Sequence, residues 1–144
     1  MSLGPSFAKG HHYNKLIIKN LIQKIILVML GGGIGSVLRY LINLWVPFTP
    51  YPFVSTLSAN ILSSFVLGIC SSILILHPER SWILYLVIIG FCGGLSTFST
   101  FSSEIFHFIR QEKYTLLLSY VALSVCLCVI AVTAGYFLSR KFVS

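Results

Sequence analysis

Four long apolar stretches, separated by short polar segments, limit this chain to one kind of fold. A helix needs about 20 apolar residues to cross the hydrocarbon core of a bilayer. Each stretch reaches that length, and 56% of the residues are hydrophobic whereas only 9% are charged, unlike a soluble domain. The sequence therefore predicts an all-α integral membrane protein with four transmembrane helices, approximately over residues 21–46, 53–76, 82–109 and 114–138.

The segments that flank the spans complete the predicted organisation. Residues 1–20 are predicted to form a flexible basic N-terminal tail, and residues 21–144 a single four-helix transmembrane domain. A signal peptide is the alternative for the N-terminus, but the apolar stretch continues well beyond the length of such a peptide. Because the connections are short, consecutive helices are expected to be antiparallel neighbours. Proline, which cannot continue a helix, marks the first connection at Pro47, Pro50 and Pro52.

The basic residues are distributed as in a membrane protein. Most of them lie at the ends of the apolar stretches, so the net charge of +7 does not indicate a nucleic-acid partner. Four spans place both termini on one side, and the side with more Lys and Arg is usually cytoplasmic. The sequence predicts a multi-pass protein of the cell's inner or plasma membrane with cytoplasmic termini. That side carries Lys9, Lys15, Lys19, Lys24, Arg80, Arg140 and Lys141, and the other side carries Arg110 and Lys113.

The third span contains a segment that a lipid-facing helix would not need. Residues 90–101 read GFCGGLSTFSTF, in which glycines are followed by a run of hydroxyls. Irregular backbone at membrane depth is tolerated where it is buried in protein or lines a cavity. We predict a break in the third helix, at mid-membrane, over residues 93–97. Carbonyl oxygens freed by such a break are candidate ligands for a small hard cation.

Two phenylalanines follow the predicted break. Phe98 and Phe101 are three residues apart and therefore lie on one face of the restarted helix. They could be core aromatics. Alternatively, their electropositive ring edges could face a small anion and bind it weakly enough to release it, as conduction requires.

Polar side chains also recur every four residues in the second and fourth spans. Buried amides need partners in hydrocarbon, so Asn60 either joins two helices or offers its two N–H donors to an anion. The second-span stripe is Thr56, Asn60, Ser64 and Gly68, and the weaker fourth-span stripe is Tyr120, Ser124 and Cys128.

Two charged residues lie within or near the spans. Arg39 is either a snorkelling arginine, a charge that attracts anions to a vestibule, or a clamp on a carboxylate such as Glu104. We expect Glu104 to be functional because an ionisable group within a span is costly. No catalytic set accompanies it, because the chain has no Asp and neither a nucleophile nor a metal set joins His107. Gly31 and Gly35, four residues apart, should let a neighbouring helix approach closely.

These motifs closely resemble the fluoride channels called Fluc or CrcB proteins. The resemblance covers approximately residues 21–140, through GGIGSVLRY at residues 32–40, Asn60 in a small-residue helix, and the motif at residues 90–101. It implies an antiparallel, dual-topology homodimer with two pores, which passively exports fluoride across the cytoplasmic membrane and lowers its cytoplasmic concentration.

The resemblance also implies roles for individual residues. In the fluoride pore it places Asn60, the paired rings of Phe98 and Phe101, and the polar track of Tyr120 and Ser124. Ser99 and Thr100 are also predicted to line the pore. Arg39 and Glu104 are predicted to lie at its vestibule and to set the electrostatic potential there. The backbone carbonyls of Gly93 and Ser96 match the positions that hold a central sodium ion at the dimer interface.

Three departures from the family pattern affect these expectations. Ser96 replaces the usual threonine, which should not disturb a carbonyl ligand. Cys128 stands where the track would have a hydroxyl. The charge bias is larger than dual topology favours, so the partner could be an oppositely oriented paralogue. Two other classes fit the sequence less well. A proton-coupled drug exporter would need a carboxylate in the first span, which has none, and a non-transporting subunit would not need the third-span motif.

Overall fold

The protein is described here by a computed structural model, which covers residues 5–45 and 53–143. Every regular element in these two ranges is helical. Four continuous lengths, Ile17–Trp45, Phe53–Leu76, Ser81–Arg110 and Tyr114–Phe142, are long and apolar enough to span a membrane. The predicted all-α, four-span architecture is confirmed. The helices are α1, Pro5–Trp45; α2, Phe53–Leu76; α3, formed by Ser81–Ile83, the π-helical turns Leu84–Cys92 and Gly93–Leu95; α4, Phe98–Arg110; and α5, Tyr114–Val143.

The helix bounds differ from the predicted ones mainly at the N-terminus. Helix α1 begins at Pro5, whereas the first span was predicted to begin at residue 21. Residues 5–20 are therefore a helical extension of the first span. Hydropathy predicts where a helix contacts lipid, but not where the helix begins. No proline interrupts residues 6–45, so the helix can continue beyond the apolar stretch. Flexibility of this segment stays a prediction. The prolines of the first connection lie outside the described residues.

The tightest packing joins alternate helices rather than consecutive ones. A Cβ at Gly31 would collide with the carbonyl oxygen of Leu86, and one at Gly68 with that of Val132. Helix α1 therefore lies against α3, and α2 against α5, each pair running parallel. Consecutive helices also touch, but less closely. The expected close approach at Gly31 and Gly35 is confirmed, with α3 as the neighbour, because small residues let backbones meet in the membrane.

The glycine contact predicts that Gly35→Val destabilises the protein. A Cβ at Gly35 would overlap the carbonyl oxygen of Phe91 and lie 2.8 Å from the backbone nitrogen of Leu95. Overpacking against a backbone that cannot move aside costs about 1–3 kcal/mol. We expect a lower melting temperature in detergent, measured by loss of the monodisperse chromatographic peak. Gly33→Val is the matched control, since nothing lies within 4 Å of its Cβ position; equal melting of the two variants would contradict the packing argument.

The break in the third span lies at Ser96 and Thr97, within the predicted range of residues 93–97. Their φ, ψ angles of −72°, 153° and −147°, 109° are extended. Gly93, however, is helical, with φ −65° and ψ −34°, so the glycines do not form the break as expected. A Cβ at Gly94 would collide with the carbonyl oxygen of Gly32. Gly94 therefore serves the close approach of α1 and α3, and the hydroxyl residues after it form the break.

Candidate functional site

Side chains take over the hydrogen bonds that the broken helix loses. The backbone N–H of Thr97 donates to Asn60 Oδ1 at 2.8 Å, and that of Thr100 donates to Thr97 Oγ1 at 3.2 Å. Thr97 is thus the N-cap of α4, a position at which a hydroxyl satisfies a free helix N–H. Asn60 does join two helices, as one of its two predicted roles required.

The break leaves the last carbonyl oxygens before it, including those of Gly93 and Ser96, without their helical donors. In a continuous α-helix the Thr97 amide would bond the carbonyl of Gly93, and the Thr100 amide that of Ser96. Both amides donate elsewhere. Gly93 is exposed, and no heavy atom comes within 4 Å of a Cβ built there. The carbonyls of Gly93 and Ser96 therefore lack their usual helical donors, and the cation site at these residues stays a prediction.

The carbonyl of Cys92, directly before them, is fully used. It accepts hydrogen bonds from the backbone N–H and Oγ of Ser96, both at 2.9 Å, and from Ser63 Oγ at 3.0 Å. A carbonyl oxygen has two lone pairs, so this one has no capacity for a further ligand. The carbonyls that lack a helical donor begin at Gly93.

The bond to Thr97 also determines the orientation of the Asn60 amide. Because the Thr97 N–H can only donate, the atom facing it must be the acceptor Oδ1, and Nδ2 points the other way. Among the described residues no acceptor is bonded to Nδ2, and Asn60 lines a cavity. Its two N–H donors are available to a ligand in that cavity.

That cavity, the inner cavity, has a volume of about 380 Å³. It brings together residues that were predicted from three different spans. Ser124 Oγ is buried beside this cavity without a hydrogen-bond partner in the described part of the chain. The inner cavity is lined by Asn60, Ser64, Ser96, Thr97, Phe98, Phe101, Ser124, Val125, Cys128 and Val129. None of these carries a formal charge.

The two predicted rings stand side by side at this cavity. The ring centroids of Phe98 and Phe101 lie 5.9 Å apart, with 40° between the ring planes. Phe101 packs on Tyr120 at 5.1 Å, but Phe98 is 80% exposed in the single chain. A ring so exposed beside a helix break is not part of the chain's own core.

A second, outer cavity of about 380 Å³ lies on the other side of Thr97, which lines both. Arg39 lines it, and its role as a vestibule charge stays a prediction. Ser99 and Thr100, which were grouped with the ring pair, line this cavity instead. The reason is helical geometry: they follow Phe98 by one and two residues and so point to another face of α4. The other lining residues are Ser36, Tyr40, Asn43, Thr56 and Thr97.

Three residues of the outer cavity were missed. Ser36, Tyr40 and Asn43 are spaced by four and three residues, as one face of α1 requires. Their common spacing with Arg39 was a usable signal. This spacing was overlooked because most residues of the first span are apolar.

Glu104 is held by two hydroxyls rather than by Arg39. Thr56 Oγ1 donates to its Oε1 at 2.7 Å, and the Tyr120 hydroxyl donates to its Oε2 at 2.6 Å. No ion pair joins Arg39 to Glu104 in the described ranges, so the clamp alternative is wrong for the single chain. Tyr120 is 2% exposed and lines neither cavity. It holds Glu104 through a hydrogen bond and packs against the ring of Phe101.

Four spanning helices, a break at mid-span and a cavity on either side of it define a multi-pass membrane protein with polar groups at the centre of its fold. A family model described as CrcB-like protein, Camphor Resistance (CrcB), matches residues 26–136. Since this is well over half of the chain, the protein belongs to the CrcB-like family.

Three relatives align with this chain over nearly their whole length. A protein of Leptospira interrogans serogroup Icterohaemorrhagiae serovar copenhageni is 38% identical over 85% of this chain and 99% of its own. One from Hahella chejuensis is 38% identical over 83% and 96%. One from Pyrococcus furiosus is 39% identical over 83% and 98%. All three are named fluoride-specific ion channel FluC.

Proposed function

We propose that this protein is a fluoride-specific ion channel that carries fluoride passively out of the cell, without enzymatic chemistry. The Asn60 amide is the observation that carries the proposal. Its oxygen accepts a hydrogen bond from the Thr97 N–H at the break, and its two N–H donors remain available in the inner cavity. The relatives of the family bear the name of this activity.

The two cavities differ in a way that suits anion passage. Arg39 places a positive charge at the outer cavity, where it raises the local concentration of anions. The inner cavity offers neutral donors from Asn60 and Ser124 and the edges of two rings, which are electropositive. Neutral groups replace part of the anion's hydration without the tight binding of a fixed charge, so the ion can leave.

The test of the proposed function is ion flux from liposomes that contain the purified protein. An ion-selective electrode records fluoride efflux, and matched liposomes loaded with chloride record the competing halide. We expect fluoride to leave down its gradient, accelerated by a potassium ionophore, while chloride stays inside. Equal efflux of the two halides, or none of either, would overturn the proposal.

We infer that the working unit contains a second, antiparallel copy or an oppositely oriented paralogue. The exposed Phe98 and the open surface at Gly93 support this, because both lie at the centre of the site yet have no cover within one chain. Cysteines introduced at the termini and labelled from each side of the membrane test it. Labelling from both sides is expected for a dual-topology dimer, and one-sided labelling would replace it with the paralogue pair.

We also propose a sodium ion at the break, held by the backbone carbonyls of Gly93 and Ser96. Both carbonyls have lost their helical donors, and hard cations prefer oxygen ligands. The described residues contain no group of three His, Cys, Asp or Glu that could hold a metal, so backbone oxygens would be the ligands. The ion would supply a fixed positive charge beside the cavities. Replacement of sodium by N-methylglucamine in the flux assay should lower fluoride efflux; efflux unchanged after protein preparation without sodium would contradict the site.

A further inference from the structure

A cavity far from the break has the features of a binding site but no part in the proposed channel. It measures about 280 Å³ and lies between the N-terminal half of α1 and the start of α3. We call it the α1–α3 cavity. It is lined by Asn20, Gln23, Lys24, Leu27, Ser81, Trp82 and Tyr85.

The polar groups of this cavity have no partner among the residues whose side chains are described, 17–45 and 53–142. Within these ranges, no hydrogen bond or ion pair occupies the side chains of its amide, hydroxyl and indole residues. The ammonium of Lys24 lies 5.0 Å from the ring centroid of Tyr85, a cation–π contact that keeps the charge turned towards α3. One cation and several N–H and O–H donors therefore converge without an acidic partner. The donor residues are Asn20, Gln23, Ser81 and Trp82.

The charges around the cavity also favour an anion. Lys19 precedes Lys24 on α1, and Arg80 precedes Ser81. The nearest acid in sequence is Glu79, whose Oε1 lies 3.2 Å from His77 Nδ1 and 4.0 Å from Arg80 Nε. Glu79 thus lies beside His77 and Arg80 in the loop, and it does not line the cavity.

The depth of the cavity in the membrane can be worked out from helix geometry. Gly94, two residues before the break, packs at the level of Gly32 on α1. Lys24 lies eight residues before Gly32, and the break lies two residues beyond Gly94. At about 1.5 Å per residue, these ten residues place Lys24 roughly 15 Å from the level of the break. Half of the hydrocarbon core is also about 15 Å thick. The α1–α3 cavity therefore lies at the boundary with the lipid headgroups, where Trp and Tyr are enriched.

We propose that the α1–α3 cavity binds the phosphate group of an anionic phospholipid. A phosphate accepts hydrogen bonds from every free donor in the cavity and pairs with Lys24, and basic pockets between spanning helices bind such headgroups. The acyl chains would lie on the apolar outer surface of α1, where Leu21 and Ile25 are exposed. A zwitterionic lipid fits less well because its own ammonium group would meet Lys24.

The test uses the fluorescence of Trp82, which lines the cavity. The chain has two tryptophans, so Trp45→Phe leaves Trp82 as the sole reporter. Vesicles contain phosphatidylcholine and phosphatidylglycerol, one of them brominated near the headgroup, and quenching gives the relative affinity of the two lipids at Trp82. We expect phosphatidylglycerol to be preferred, and the preference to fall about fivefold in Lys24→Gln, the effect of one basic side chain near the surface.

Lys19→Gln is the matched control, since Lys19 has the same charge on the same helix but lies outside the cavity. It should keep the preference, and Lys24→Arg should keep most of it. Equal losses in Lys19→Gln and Lys24→Gln would reduce the effect to general surface attraction and overturn the proposal. So would equal quenching by both lipids in the unmodified cavity. Abolition of the preference by millimolar inorganic phosphate would assign the cavity to free phosphate instead of a lipid. Fluoride flux, unchanged in Lys24→Gln, shows that the variant is folded.

Discussion

Fluoride efflux should fall at least ~100-fold when Asn60 is replaced by alanine, the first of the two largest effects we expect. The alanine removes two N–H donors from the inner cavity, and hydrogen bonds to charged groups contribute roughly 1.5–3 kcal/mol each. It also removes the acceptor of the Thr97 N–H, which would then be buried and unsatisfied. The site therefore loses both an anion contact and a support of the break.

Asn60→Asp separates these two roles. The carboxylate keeps an acceptor for the Thr97 N–H, so the break should be retained, but it replaces the donors with a negative charge that repels the anion. We expect Asn60→Asp to melt near the wild-type temperature, Asn60→Ala to melt lower, and neither to pass fluoride.

Asn43→Ala is the matched control for both variants, because Asn43 lines the outer cavity and, among the described residues, forms no hydrogen bond with the break. It should retain most of the flux. If Asn60→Asp conducted fluoride at the wild-type rate, Asn60 would support the helices and would not contact the ion.

Much of the fold could be predicted because the bilayer restricts what an apolar chain can do. Helix α2 has the predicted bounds, residues 53–76, since lipid requires every backbone group to be bonded within its own helix. The pairing of alternate helices could not be predicted from hydropathy. It depends on which faces of two helices carry glycine, as Gly31 and Gly94 do, and no single span contains that information.

The sequence predicted many of the residues that form the candidate site, but not how they are divided between the inner and outer cavities. Asn60 and Ser124 stood out as polar residues in apolar helices, and both line the inner cavity. Ser99 and Thr100 belong to the outer cavity because helix α4 restarts at Phe98, and the direction of each side chain depends on that residue. The partners of Glu104 come from α2 and α5, so only the folded chain shows that hydroxyls and not Arg39 hold it.

Phe98→Ile should lower fluoride efflux at least tenfold, which corresponds to about 1.4 kcal/mol in the barrier. Isoleucine keeps an apolar side chain of substantial size but has no ring quadrupole, so it cannot present an electropositive edge to the ion. Because Phe98 is 80% exposed in the chain, the substitution should hardly change the stability of the four-helix fold. Size-exclusion chromatography checks that the assembly is retained, and the liposome assay measures the flux.

Phe101→Ile should lower the efflux as well, but its interpretation needs a comparison. The ring of Phe101 packs on Tyr120, which donates to Glu104, so this variant also loosens a support of the site. Phe106→Ile is the matched control, since Phe106 lies on the same helix, is 60% exposed and lines neither cavity. Loss of flux in both cavity variants but not in Phe106→Ile would assign the ring edges to the ion path. Loss in Phe101→Ile alone would mean instead that the ring acts through Tyr120 and Glu104, and that the pair at the break does not touch the anion.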